Sequence, residues 1–529
     1  MPPLSSFLAA AASRHGARPA LIMDDRILTY AELDASANRV ANSLIRHGVR
    51  AGDRVALWLP KSLEAIISIW GVLKAGAAFV PVDPAAPVAR LATIARDCEI
   101  RALVAALDRA DDLRLAFGTS APMRAVLYAG DGANPTPAAR WSSQTWNEVE
   151  AESAQPPPVH TDDAGLAAVQ YTSGSAGTPK GVAISHRTLA GQAEWTVTSL
   201  GLSSEDRIPG YTPLSGAMSS FEIFGGVLAG ATVYPVPPRL APFPAAVAKS
   251  WSNQRITVLY VVASVVQMLL SRGNLGVLDL SALRIIMIGG EHLPAQRLGE
   301  LMRLLPRVRF ILSYARTEAK LRSLHEVKYP PEEIDTRIIG KTAAGNRLLV
   351  FGEDENPVAD GAIGELWVTG PCLMLGYYGL PEMTAEVMRT ITLGPGNKVL
   401  ACRTGDLVRR HANGTLELIG RADEQIKVRG YRVEPAEIET ALCRHPAVYA
   451  AVAIAVPDLE TGNRLKAVVV LKNASDAGEQ TLRAHCAEAL PPYMVPDAIE
   501  FRASLPLMSN GKVDRRSLRE SAARSAVES

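Results

Sequence analysis

The sequence predicts an α/β protein: a large N-terminal domain of mixed sheets packed with helices, then a small α+β domain. Three observations carry this. At 529 residues the chain is far longer than one hydrophobic core can serve, so at least two domains are expected. Apolar, β-branched runs alternate with segments of helical spacing, the rhythm of parallel strands joined by packed helices. Near Gly420 the texture changes, and "GRADEQIKVRGYRVEPAEIETAL" is densely charged. We place the boundary there, giving domains 1–421 and 422–529.

Taken in order, "MPPLSSFLAAAASRHG" lacks the positive start of a signal peptide and reads as an amphipathic helix. "RVALWLP" is a strand, "KSLEAIISIWGVLKAG" a helix ended by Gly, and "AAFVPVDP" a strand again. The rhythm recurs through "IRALVAAL", "LAAVQY", "ATVYPVPP" and "LRIIMIGG". "ITVLYVVASVVQMLL" is too short to span a bilayer and reads as a buried strand running into a helix. Residues 131–163 are polar and Pro-rich, and read as one long surface loop. The small domain offers a helix, a hairpin ("YAAVAIAVPD", "RLKAVVVLKN"), another helix and a basic tail whose last residues, "RESAARSAVES", are expected to fray.

Hydrophobic residues make up 48% and charged residues 21%, the balance of a soluble enzyme. A net charge of +1 gives no electrostatic case for nucleic acid or an anionic membrane. Five scattered cysteines without a C-x-x-C pair argue against a disulfide framework and a zinc site, and for a reducing cytoplasm.

One stretch asks for chemistry. "YTSGSAGTPKG" (171–181) combines permissive glycines, short hydroxyls and a lysine, the ingredients of a polyphosphate-binding loop. It is not a Walker A loop: Pro179 stands where the second Gly should be, and Gly181 replaces the magnesium-holding hydroxyl.

The loop instead resembles the phosphate-binding signature of the acyl-adenylate-forming superfamily. So do, in family order, "LTYAELDASANRVA", "LKAGAAFVPVDP", "GELWVTGPCLMLGYYG", "RTGDL", "GRADEQIKVRGYRVEPAEIE", "LPPYMVP" and "NGKVDR". The last three forms are most similar to nonribosomal peptide synthetase adenylation domains. The resemblance implies that a small carboxylic acid is joined to AMP from ATP, with Mg2+. The acyl group then passes to the phosphopantetheine thiol of a carrier protein. About a dozen residues follow "NGKVDRRSL", so the carrier is expected as a separate chain. An acid–CoA ligase is the alternative within the class, and a non-catalytic adenylate-binding protein the alternative outside it.

By the same resemblance Thr172, Ser173, Gly174, Ser175 and Lys180 hold phosphates. Gly290 and Glu291 rim the adenine pocket, and Tyr314 stacks on adenine. Thr317 touches the α-phosphate, and Glu318 binds the metal. Asp406 holds the ribose and Arg421 contacts ribose and phosphate. Lys512 bridges the two reacting anions, and Lys427 completes the catalytic set. Asp423 is the hinge of a mobile small domain. His186 and His292 are read as structural. Four residues depart from the family near the nucleotide: Ala176, Ala315, Arg316 and Cys402.

The acid pocket falls on Ala217, Met218, Phe221, Tyr260, Met287, Gly289, Ser313, Leu321 and Arg322. Amino-acid-activating members carry Asp at the position of Ala217, where it pairs with the substrate ammonium. A buried ammonium without a carboxylate is costly, so an ordinary α-amino acid is not the expected substrate. Arg322 would meet an anionic or carbonyl group, or a protein carboxylate.

Overall fold

The computed structural model describes residues 2–118, 123–133, 135, 141–174, 178–320, 322–328, 335–342, 345–394, 396–458, 462–472, 477–506 and 513–528; the side chains of Arg322 and of 523–528 lie outside that set. The alternating segments fold as read. An eight-stranded sheet runs Gly376–Tyr377, Lys180–Ser185, Leu166–Thr172, Ala78–Pro81, Arg54–Trp58, Ala102–Ala106, Ala125–Ala129, Ser142–Thr145. Its strands are parallel from Leu166–Thr172 outward to Ser142–Thr145 and antiparallel at Lys180–Ser185 and Gly376–Tyr377.

Helix starts follow local chemistry. Thr29 and Glu32 form a reciprocal cap on Tyr30–Arg46, and Ser62 caps Leu63–Lys74. These two helices cross at Gly71, where a Cβ would run into Val40. The buried side chains of both helices join one core that includes Trp70, Phe79 and Phe224.

A five-stranded sheet places Val258–Val262, Ile285–Gly289 and Arg309–Ala315 side by side and parallel, followed by Arg322–Val327 and the edge strand Lys341–Thr342, both antiparallel. "ITVLYVVASVVQMLL" is indeed the strand Val258–Val262 running into the helix Ala263–Arg272. An antiparallel sheet built on Lys398–Arg410 carries the "RTGDL" residues. After it comes a hairpin of Ile426–Val428 and Tyr431–Val433, whose turn residues Arg429 and Gly430 both have positive φ, +51° and +83°. A separate core then gathers Val428, Val433, Ile438, Leu442, Ala467 and Met494 around the three strands Val448–Asp458, Gly462–Leu471 and Ala498–Phe501.

One expectation needs correction. Residues 131–163 are not one loop: Ser142–Thr145 adds an edge strand and Trp146–Glu150 a helix with its own Thr145–Glu148 cap. Trp146 and Val149 are buried, so apolar anchors and a cap outweigh the polar composition. At the C-terminus Arg515–Glu528 is helical, and Leu518 clusters with Val452 and Ile454.

Candidate active site

The three parallel strands of the five-stranded sheet end at one cleft, the usual ligand position in an α/β sheet. Residues 426–433 close it from the other side. Between them lies a cavity of about 450 Å³. Of the residues singled out in the sequence, Thr172, Ser173, Ala217, Met218, Tyr260, Gly290, Thr317, Asp406 and Lys427 line it. Residues some 250 positions apart in the chain thus meet around one space.

At the phosphate-loop end, Gly174 is needed by geometry: a Cβ there would collide with the Thr178 carbonyl oxygen. The Thr172 hydroxyl is buried without a hydrogen-bond partner. The Ser173 hydroxyl donates to the Arg432 carbonyl at 2.8 Å. Lys180 lies outside the cavity lining, its ammonium 4.4 Å from the Tyr377 ring. Burial and the nearby Arg432 lower its pKa. Ser175, Leu321 and Lys512 lie outside the described residues; for Arg322 only the strand position is described.

The charged centre is built on two carboxylates. Asp406 accepts from the Tyr314 hydroxyl (2.6 Å) and Arg316 Nη1 (3.0 Å) on one oxygen and from Arg421 Nη1 (2.6 Å) on the other. Burial opposes its ionisation, but Arg316 and Arg421 hold it below its ordinary pKa. Glu318 is 2% exposed, and burial would raise its pKa. Arg432, Arg316 and Lys180 hold it well below the usual carboxylate range. One Glu318 oxygen accepts from Arg432 and from the Tyr377 hydroxyl (3.1 Å). The other has no hydrogen-bond partner, with Arg316 Nη2 at 3.8 Å. Lys427 is half-buried beside this cluster, and desolvation brings its pKa down to about 8 against the pull of Asp406.

Glu291 joins the two halves of the site. Its carboxylate accepts from the Ser264 N–H at 3.1 Å and from the Gly430 N–H at 2.6 Å, pinning the hairpin turn. Arg421 also pairs with Asp423. Cys402 is buried within Lys398–Arg410, opposite Val368 and Met388. His186 begins the Ser185-capped helix, and His292 contacts Thr336 at 2.9 Å.

The acid pocket is smaller in its first layer than expected. Ala217, Met218 and Tyr260 line the cavity, whereas Phe221, Met287, Gly289 and Ser313 do not. Phe221 meets Tyr260 edge-on, with centroids 5.5 Å apart. Met287 is paired in register with Tyr260, and Gly289 with Ser313. A Cβ on Gly289 would sit 3.0 Å from the Tyr260 hydroxyl, so its bare backbone makes room for that ring.

Sequence reasoning missed Arg432, Tyr377, Gln192 and, as a lining residue, Lys320. Arg432 was recoverable. A two-residue turn at Arg429–Gly430 pairs Lys427 with Arg432 and so puts both on one hairpin face. Tyr377 and Gln192 carry no local signal.

Comparison with known proteins identifies the family. The AMP-binding enzyme family model matches residues 8–378, and the model of that family's C-terminal domain matches residues 437–512. The chain belongs to the AMP-binding enzyme family. It is 35% identical over 521 residues to an L-proline–[L-prolyl-carrier protein] ligase of Streptomyces coelicolor, covering 96% of this chain and 94% of that one. It is 34% identical over 512 residues to a linear gramicidin synthase polypeptide of Brevibacillus parabrevis. That match covers 96% of this chain but only 6% of the synthase polypeptide. Among solved structures, an amide bond synthetase from Marinactinospora thermotolerans superposes with a TM-score of 0.83. It is 25% identical, over 98% of this chain and 99% of that one. An acyl-adenylate-forming ligase fold is therefore established. Among the described residues no helix is long and apolar enough to cross a membrane, all five cysteines are free, and no group of three or more His, Cys, Asp or Glu converges as for a metal.

Proposed function

We propose that this chain activates a carboxylic acid with ATP as an acyl-AMP and passes the acyl group to the phosphopantetheine thiol of a separate carrier protein. The observation that carries this reading is the convergence of Thr172, Ser173, Thr317, Asp406 and the cationic hairpin on one cavity. A substrate carboxylate oxygen attacks the α-phosphorus. The bond from that phosphorus to the bridging oxygen breaks, and pyrophosphate leaves with the electron pair. Next, a thiolate sulfur attacks the acyl carbon, the acyl–phosphate C–O bond breaks, and AMP leaves.

Both steps gather negative charge, so fixed cations and N–H donors are the means of catalysis. Asp406 would take the ribose hydroxyls, exchanging a present donor for them. Thr172, Ser173, Ser175 and Lys180 would take phosphate oxygens, and Thr317 the α-phosphate. Lys512 would neutralise the two anions as they meet. The unpartnered buried Glu318 oxygen suits a magnesium ion shared with phosphates, since Mg2+ is commonly held by one carboxylate plus phosphate oxygens. Bound there, the ion would offset charge on the leaving pyrophosphate.

We place the domain junction at 421–422 with Asp423 as its pivot. The hairpin bearing Lys427 and Arg432 faces the cavity, and we assign this arrangement to the thiol step. The absence of a carboxylate at Ala217 supports an acid other than an ordinary α-amino acid.

The test is ATP–pyrophosphate exchange against amino, aryl, alkyl, hydroxy and dicarboxylic acids. Exchange with one class is expected. Lys512→Ala should cut it by about 10²–10³-fold while ATP binding persists. An unchanged rate removes Lys512 from the mechanism. ATP binding without exchange for any acid would defeat the adenylation reading.

A further inference from the structure

We propose that Arg316 is a movable cation of the nucleotide site: it gives up Asp406 to the ribose when a nucleotide binds, and its guanidinium then takes the α-phosphate. This rests on the adenylation reading above and adds to it a residue that the family resemblance does not supply.

Arg316 and Thr317 follow the strand Arg309–Ala315, and both line the cavity. Among the described residues four arginines line it: Arg90, Arg316, Arg429 and Arg432. Three of them pair with carboxylates outside the lining, namely Glu437, Asp497 and Glu318. Of the four, only Arg316 pairs with a carboxylate that itself lines the cavity, Asp406, through Nη1 at 3.0 Å. The Arg316 side chain is 10% exposed. Burial opposes its charge, but Asp406 and Glu318 keep it protonated. A guanidinium therefore rests on the carboxylate that the ribose needs.

An ionised carboxylate has about four lone-pair sites. Tyr314, Arg316 and Arg421 fill three of those on Asp406. A ribose presents two vicinal hydroxyls, so one donor must leave before both can bind. Tyr314 is fixed within its strand, in register with Ser323. Arg421 is tethered elsewhere: Nε and Nη2 donate to Asp423, and Nη2 also reaches the Thr404 carbonyl at 3.4 Å. Arg316 has the weakest hold. Among the described residues its side chain makes one hydrogen bond, to Asp406, and its Nη2 stands 3.8 Å from Glu318, which Arg432 already holds. The α-phosphate hangs from the ribose through one carbon and one oxygen, and Thr317, placed above at that phosphate, is the next residue in the chain. A ribose on Asp406 thus brings an anion beside the guanidinium it displaces. Trading a carboxylate for a phosphate keeps a buried cation paired, and the planar fork of Arg matches two phosphate oxygens. Arg316 therefore competes with one part of the nucleotide and attracts another.

The deciding experiment is isothermal titration calorimetry of the full chain with adenosine and with AMP, without added Mg2+, for wild type, Arg316→Met and Arg316→Lys. Arg316→Met should lower the adenosine Kd about threefold or more, because nothing contests Asp406, and raise the AMP Kd about tenfold or more. Arg316→Lys should restore part of the AMP affinity through its point charge. The opposite signs are the signature, since a merely structural loss weakens both ligands. Equal changes for adenosine and AMP, in either direction or none, overturn the assignment while leaving the adenylation reading intact. If Arg316→Met does not fold, Arg316→Gln carries the same two readings. If neither folds, wild type binding adenosine as tightly as AMP overturns the assignment, and a clear preference for AMP upholds it. Binding of neither ligand to wild type overturns the nucleotide site and the adenylation reading with it.

Discussion

Two groups of buried charges, one sealed behind the cavity and one opening into it, respond to burial in opposite ways. Behind the cavity, Lys61 and Glu222 form a pair with side chains 8% and 5% exposed. Desolvation lifts the Glu222 pKa to about 7 despite Lys61. His186 is sealed as well: it is fully buried, neither ring nitrogen has a hydrogen-bond partner, and burial pushes its pKa down to about 4. None of the three lines the cavity. Beside the cavity, which Asp406 lines and Glu318 does not, both carboxylates are as buried, yet surplus guanidinium groups hold them ionised. Burial by itself drives charges off side chains; only an excess of opposite charge keeps them on. That excess marks where an anionic ligand can enter, and the sealed pair marks where none is needed.

The comparison can be broken by removing one charge from each group. Glu222→Gln strands a buried ammonium and should lower stability by about 3–5 kcal/mol in urea unfolding, whereas Lys61→Met with Glu222→Leu should recover most of that loss. A loss under about 1 kcal/mol for Glu222→Gln would mean that water reaches the pair.

His186 sharpens the point through pH. Its folded pKa of about 4 lies below the ordinary 6.5, so its contribution is present above pH 6.5 and disappears as pH falls through 4. The total is roughly 3 kcal/mol. Glu222 runs the other way, its raised pKa favouring the fold at lower pH, but it is common to both proteins being compared. Urea unfolding of wild type and His186→Gln from pH 7 to pH 4 should therefore show a smaller acid loss in the variant. Parallel curves would place the acid sensitivity elsewhere.

The smallest effect on stability is expected at the cavity. Asp406→Asn should raise the nucleotide Kd about tenfold or more while shifting Tm less than Glu222→Gln does. A large Tm loss with unchanged nucleotide affinity would make Asp406 a structural ion-pair partner.

Much of this site was legible in the chain because its motifs are local. The glycine-rich loop, "RTGDL" and the hairpin each keep the residues singled out within a few positions of one another, so a family resemblance is enough to point to them. The errors came where burial depends on distant partners. Residues 131–163 looked like loop because Trp141, Trp146 and Val149 are sparse among polar residues; their apolar partners lie elsewhere in the chain. Phe221, Met287, Gly289 and Ser313 were read as lining because pattern gives the position but not the depth. Tyr260 lines the cavity, with the Phe221 ring against it.

The sequence by itself determined the strand–helix alternation, the helix caps, the phosphate-loop glycine and the substitution at Ala217. Periodicity, capping and turn chemistry act within a few residues. Only the tertiary structure decided that Arg316 rests on Asp406, 90 residues away, that Arg432 reaches Glu318 across 114 residues, and that Lys320 meets Gln170 across 150. Such contacts depend on which strand lies beside which and on how the hairpin seats over the cleft. A charge's neighbours, and so its pKa and its use, are properties of that packing rather than of any stretch of chain.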